Sequence, residues 1–223
     1  MPPFITIAID GGAAAGKSST SRALAERFHL LHVDTGSFYR ALTAGLLRQK
    51  VALDDLAGIR AALARITLGT RIEGRTAHME INGQPVNPAD LRTPEVNAVV
   101  AQFSAIPEIR ATLLDYQRAH AATARAHNFR GLVMEGRDIC SKIFPDADLR
   151  LILHADPAER ARRRAAEGLQ DQIATRDTLD LARVQAGAQG ATIIDSTHLT
   201  LAQVVEKIST LVAEKLNQHP NAM

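Results

Sequence analysis

Along the chain, short apolar runs alternate with longer stretches whose apolar residues recur every three or four positions. The runs at 4–10, 30–34, 132–135, 149–154 and 192–195 predict strands. They are nearly continuous in Ile, Leu and Val rather than alternating, as in a parallel sheet covered on both faces. Helices are predicted over 16–28, 36–49, 93–102, 107–127, 157–167, 171–186 and 200–216. Thr93-Pro94 and Asp156-Pro157 each read as an N-cap followed by a proline in the first helical position. The stretch 66–86 breaks the alternation: its segments alternate apolar and polar residues and are punctuated by Gly69, Gly74 and Asn82-Gly83. Asn-Gly between such segments signals a hairpin. The pattern predicts an α/β fold of three layers. A five-stranded parallel sheet carries helices on both faces and a small antiparallel β insert.

Composition narrows the class. The chain has 223 residues, 46% hydrophobic and 22% charged, and a formal net charge of +2. That is globular composition, long enough for one domain. A single cysteine, Cys140, excludes an internal disulfide framework and suits a reducing cytosol. Without a lysine-rich run, an electrostatic footprint for nucleic acid is weak. No apolar run reaches the ~18 residues of a membrane span, and no basic residue precedes the first apolar run as in a signal peptide. The expectation is a cytoplasmic monomer without nucleic-acid or membrane partners. Only five of the 26 basic residues are lysines (17, 50, 142, 207 and 215), and arginine is the side chain suited to forked phosphate contacts.

Gly11-Gly12-Ala13-Ala14-Ala15-Gly16-Lys17-Ser18 fits G-x-x-x-x-G-K-[ST], between a predicted strand and a predicted helix. Glycines permit the tight turn, loop N–H groups face phosphate oxygens, and the helix N-terminus adds its positive dipole end. Lys17 would neutralise charge between the β- and γ-phosphates, and the Ser18 hydroxyl would ligate Mg²⁺. No Asn-Lys-x-Asp guanine reader and no G-x-G-x-x-G is present. A kinase of a small acceptor is therefore expected, with an arginine-lined second anion site.

Asp34-Thr35-Gly36-Ser37-Phe38-Tyr39-Arg40 lies where the second strand passes into a helix, and Glu135-Gly136-Arg137-Asp138 ends a later strand. With GGAAAGKSS, LRTPEVNAVVAQFSAIPEIR, FPDADLRLIL and IIDST, these segments make nearly the whole chain resemble the bacterial cytidylate kinases, P-loop nucleoside monophosphate kinases acting on CMP and dCMP. The resemblance implies one P-loop kinase domain over 1–223, an acceptor-binding insert at 62–103 and a helical lid at 156–188. It implies that Arg40 and Arg137 hold the acceptor α-phosphate, that Arg110 and Asp138 contact cytosine beside Ala101, and that Asp34 and Thr35 belong to the same subsite. A carboxylate at 138 accepts from the cytosine amino group, whereas uracil presents an acceptor there.

In the lid, Arg176, Asp180 and Arg183 stand at i, i+4 and i+7, on one helix face. The resemblance gives Asp180 the acceptor ribose and both arginines the phosphates; with Lys17 and Arg137 they are the expected catalytic group. The expected ATP contacts are Gly11, Gly12, Ala13, Ala14, Ala15, Gly16, Lys17, Ser18 and Ser19, joined by Arg160 and Arg164. The cofactor is Mg²⁺, brought with ATP. Neither Cys140 nor the eight histidines have a catalytic task, because an ionised phosphate is already a nucleophile.

Three places depart from the family pattern. Ala101 stands where serine is common, with Ser104 one turn on. Cys140-Ser141-Lys142 stands where Gly-Thr is usual, and a glycine-like positive φ there would strain Cys140. Gln185-Ala186-Gly187 replaces a Pro-Leu after the last lid arginine. Two other readings stay open: a kinase of another small acceptor (UMP, AMP or a non-nucleotide acid), or a nucleotide-binding module without catalysis.

Overall fold

Seven consecutive residues, Ile5–Gly11, form the first strand (β1), and all but one are buried. In the computed structural model, which describes residues 4–166 and 182–218, the chain folds as two compact units. One is built from the chain before Asp34 and after Ala119, the other from Asp34–Ala119.

The first unit holds β1, β2 (Leu30–Asp34), β6 (Gly131–Gly136), β7 (Leu149–His154) and β8 (Thr192–Asp195), in the order β2-β6-β1-β7-β8. The pairs β1–β6, β1–β7 and β7–β8 are parallel, with Ile7 opposite Val133 and Ile9 opposite Leu151. The five strand expectations thus hold, and β1 occupies the centre. Its C-terminal end opens where ligands bind in such sheets.

The helix after β1, α1 (Lys17–Phe28), packs with the C-terminal helix α7 (Leu201–Gln218). Val204, Val205, Ile208 and Val212 of α7 share a core with Leu24, Ala25, Ile5, Ile7 and Ile9. Truncating Ile208, which is fully buried, would cost about 2–5 kcal/mol. The unit also contains a π-turn at Ile139–Ile143 and the helix α6 (Pro157–Ala166). Of the helix expected over 171–186, residues 171–181 lie outside the described residues; 182–188 is helical.

In the second unit, α2 (Thr35–Arg48) starts at Asp34, whose side chain accepts from Ser37 N. A short α3 (Leu56–Leu63), not expected from the sequence, starts in the same way at Asp55. The insert is present as β3 (Leu68–Glu73), β4 (Thr76–Ile81) and the two-residue β5 (Gln84–Pro85). It is antiparallel throughout, with Thr70 opposite Met79. Asn82 and Gly83 turn β4 into β5 with φ of 54° and 72°, the positive pair of a type I′ turn. A 3₁₀ turn at Pro88–Arg92 leads to α4 (Pro94–Phe103), capped by Thr93 with Pro94 in the first position, and then to α5 (Pro107–Ala126). Val96 and Val100 of α4 pack with Ala44, Tyr39 and Leu47 of α2.

Candidate active site

Between β1 and α1 the backbone makes a loop whose carbonyls are held by the protein itself. Lys17 Nζ donates to Gly11 O and Gly12 O, both at 2.8 Å. Arg160 Nη1 donates to Ala13 O at 3.3 Å, and Ser196 Oγ donates to Ala15 O at 3.3 Å. Each peptide is planar and trans, so a carbonyl fixed on one side sends the next N–H to the other. Ala14 and Gly16 sit in the left-handed region at φ 57° and 91°, the alternation that curls successive N–H groups into an anion nest. Gly11 tolerates no side chain: a Cβ there would lie 2.2 Å from Leu153 O. The first turn of α1 has no side-chain cap and no acidic residue, so no protein carboxylate offsets its positive dipole end.

Ser18 Oγ donates to Glu135 Oε2 at 2.8 Å, and Glu135 Oε1 lies 2.8 Å from His32 Nε2. Burial alone would push the Glu135 carboxyl up. The His32 ring, the Lys17 ammonium and the Ser18 hydroxyl together outweigh burial and hold it below the usual carboxylate range. Neither residue has a role in the sequence motifs: Glu135 stands in Glu135-Gly136-Arg137-Asp138 without one, and His32 lies in no motif. The available signal was a polar residue inside each of two otherwise apolar strands, which burial obliges to find a partner. Ser18 and Glu135 present hard oxygen donors beside the phosphate loop, the chemistry that suits Mg²⁺. Among the described residues no cluster of three or more acidic, His or Cys side chains could cage a metal.

Beyond Glu135, Arg137 is half-exposed and Asp138 is buried. The backbone after them is pinned by Asp10: Oδ1 accepts from Ile139 N at 2.9 Å and Oδ2 from Cys140 N at 2.8 Å. Burial raises the Asp10 carboxyl despite these bonds. Cys140 is not among the positive-φ residues, so the anticipated strain does not arise. The π-turn, with Lys142 N and Ile143 N both bonded to Asp138 O, accommodates it. Its thiol is buried against Ala8 O and Leu151 O, and burial pushes it well up, away from thiolate chemistry.

In the second unit, Thr35 is buried behind the Asp34 cap. Arg40 Nη1 donates to Asn97 Oδ1 at 2.6 Å and to Leu91 O at 3.1 Å, and Asn97 Nδ2 donates to Arg92 O. Arg110 donates to Ser104 O at 3.2 Å, and its guanidinium lies 5.8 Å from the centre of the Tyr39 ring. Ser104 Oγ gives its proton to Ala101 O at 2.9 Å.

Arg160, on α6, is buried, with Nε donating to Ala155 O as well. Arg164 stands one turn on, and Arg183 lies half-buried in the 182–188 helix. Arg176 and Asp180 lie outside the described residues.

A family model described as "Cytidylate kinase" matches residues 7–214. A cytidylate kinase of Streptomyces avermitilis is 36% identical over 223 residues, covering 96% of this chain and 94% of the relative. One from Streptomyces coelicolor is 38% identical, with coverage of 96% and 94%. One from Geobacillus is 37% identical, with coverage of 95% and 98%.

Proposed function

The chain belongs to the cytidylate kinase family, and from that premise we propose that it transfers the γ-phosphate of Mg·ATP to CMP or dCMP, giving ADP and CDP or dCDP. A phosphate oxygen of the acceptor attacks the γ-phosphorus in line as the bond to the ADP oxygen breaks. No general base is required, because the attacking oxygen is already ionised. The protein's task is to position the reactants and offset charge.

Within that reading, the nest of loop N–H groups binds the donor phosphates and Lys17 places a fixed positive charge beside the transferring group. Ser18 and Glu135 would hold the Mg²⁺ that accompanies ATP, and the ion would supply neutralisation of the phosphate charge. Arg137 binds the acceptor phosphate, and Asp138 accepts from the cytosine amino group. On the second unit the family's acceptor contacts fall on Asp34, Thr35, Arg40, Ala101 and Arg110. Arg176, Asp180 and Arg183 belong to the 156–188 lid, which excludes water and brings positive charge over the transferring phosphoryl group. Every assigned residue comes from one chain, so a monomer suffices. A buried lone cysteine suits the cytoplasm.

The observation that carries the reading is the Ser18–Glu135–His32 contact, buried at its Glu135–His32 end, beside a preformed phosphate nest, in a chain matched to this family over nearly its whole length. The test is an assay of ADP release with Mg·ATP and CMP, dCMP, UMP or AMP offered separately. Fast turnover confined to CMP and dCMP is expected. Preference for UMP or AMP would replace the acceptor assignment, and no turnover with any of them would leave only a nucleotide-binding loop. No helix among the described residues is long and apolar enough to cross a membrane.

A further inference from the structure

The segment after β8, Asp195-Ser196-Thr197, reaches the phosphate loop from a distant part of the chain. Ser196 is 2% exposed. Its N–H donates to His154 O at 2.8 Å, and its hydroxyl proton faces Ala15 O at 3.3 Å and His154 O at 3.0 Å. Arg163, on α6, closes on it from outside. Nη2 donates to Ser196 O at 2.7 Å and Nη1 to Ser196 Oγ at 3.3 Å, while Nε is held by Glu159 Oε1 at 2.8 Å. The arginine thus occupies a lone pair of the hydroxyl, leaving the hydroxyl's own proton for the carbonyls. The same guanidinium runs alongside the loop, 3.9 Å from where a Cβ at Gly16 would stand. Thr197 anchors the segment: its Oγ1 donates to Asp195 Oδ1 at 2.5 Å and accepts from Asp156 N at 2.9 Å.

We propose that Ser196 and Arg163 are positioning residues for the donor nucleotide: by holding Ala15 O outward they aim the Gly16 N–H into the phosphate nest. Ala15 O and Gly16 N–H belong to one planar peptide and point in opposite directions. Gly16 is also the residue with least steric resistance to turning, since it lacks a Cβ. Arg160 does for the Ala13–Ala14 peptide what Ser196 does for Ala15–Gly16. The inference rests on reading the loop as a nucleotide phosphate site and is independent of which acceptor is used.

The experiment is calorimetric titration of Mg·ADP into the full-length protein and its Ser196→Ala and Arg163→Lys variants, with KM for CMP measured alongside. Each variant is expected to weaken ADP about five- to tenfold, the loss of one or two hydrogen bonds, with KM for CMP within about twofold of wild type. ADP affinity unchanged in both variants, or equal losses on the donor and acceptor sides, would overturn the proposal. Arg163 is partly exposed, so Arg163→Lys decides the matter if Ser196→Ala does not fold. A wild-type protein that binds ADP yet phosphorylates no monophosphate would overturn the acceptor assignment and leave the ADP titrations to judge Ser196 and Arg163.

Discussion

Glu135 and His32 meet at 2.8 Å with side chains 3% and 2% exposed, joining two neighbouring strands directly behind Ser18. Removing one partner of such a pair leaves the other desolvated and underbonded. His32→Leu is therefore expected to destabilise the protein by about 2 kcal/mol or more. His32→Leu combined with Glu135→Leu should recover part of that loss, as read by urea denaturation. A His32→Leu variant as stable as wild type would mean that the contact carries no energy.

Asp138→Asn replaces an acceptor with an amide that can also donate. The CMP-over-UMP ratio of kcat/KM should fall about five- to 150-fold, the equivalent of about 1–3 kcal/mol for one base-edge contact. Steady-state kinetics with both acceptors measure it. An unchanged ratio assigns base recognition elsewhere.

Arg183→Ala removes a charge assigned to the transferring phosphoryl group. A fall in kcat of about 10²-fold or more is expected, with the thermal unfolding midpoint little moved. Full activity in the variant would place Arg183 among surface charges.

Tyr116 donates to Gly69 O at 2.8 Å and accepts from Thr70, tying α5 to β3; burial pushes its hydroxyl up to about 12. Because the folded value lies above the ordinary one near 10, its contribution to stability is fully present below pH 10. That contribution is lost progressively as pH rises toward 12. Ultraviolet titration should show a tyrosine step above the ordinary range, and Tyr116→Phe should abolish that late step. Two tyrosines titrating together near pH 10 would contradict it.

Gly187 passes so close to the π-turn that a Cβ there would lie 3.0 Å from Cys140 Cβ and 3.3 Å from Asp10 Oδ2. Gly187→Ala should lower the melting temperature by several degrees, roughly 1 kcal/mol in a chain of this size. Cys140→Gly in the same chain should relieve part of the loss. Strict additivity in that double-mutant cycle would disprove the packing conflict.

The parallel strands were legible because each is a run of apolar residues bounded by turn chemistry, as in Ile5–Gly11 and Leu149–His154. The insert announced itself through Asn82-Gly83. What the sequence concealed depends on long-range partners. The π-turn at 139–143 exists because Asp10, 129 positions earlier, accepts the N–H of Ile139. The positions of Glu135 and Ser196 are likewise set by residues 103 and 181 places away, His32 and Ala15. No local periodicity carries such information. The helix Leu56–Leu63 escaped for the opposite reason: it is two turns long and contains Gly58, and a single side chain, Asp55, starts it. Among the site residues, the phosphate loop was readable as a motif. The way its carbonyls are held by Arg160 and Ser196 was not, because a carbonyl leaves no mark in a sequence.

The centre of that loop is Ala13-Ala14-Ala15, three methyl groups. A grip made of main-chain amides around bare alanines senses a string of phosphates and nothing of the nucleoside attached to it. Between ATP and GTP this part of the molecule is blind, and whatever discrimination the enzyme makes among donors must be written elsewhere in the chain.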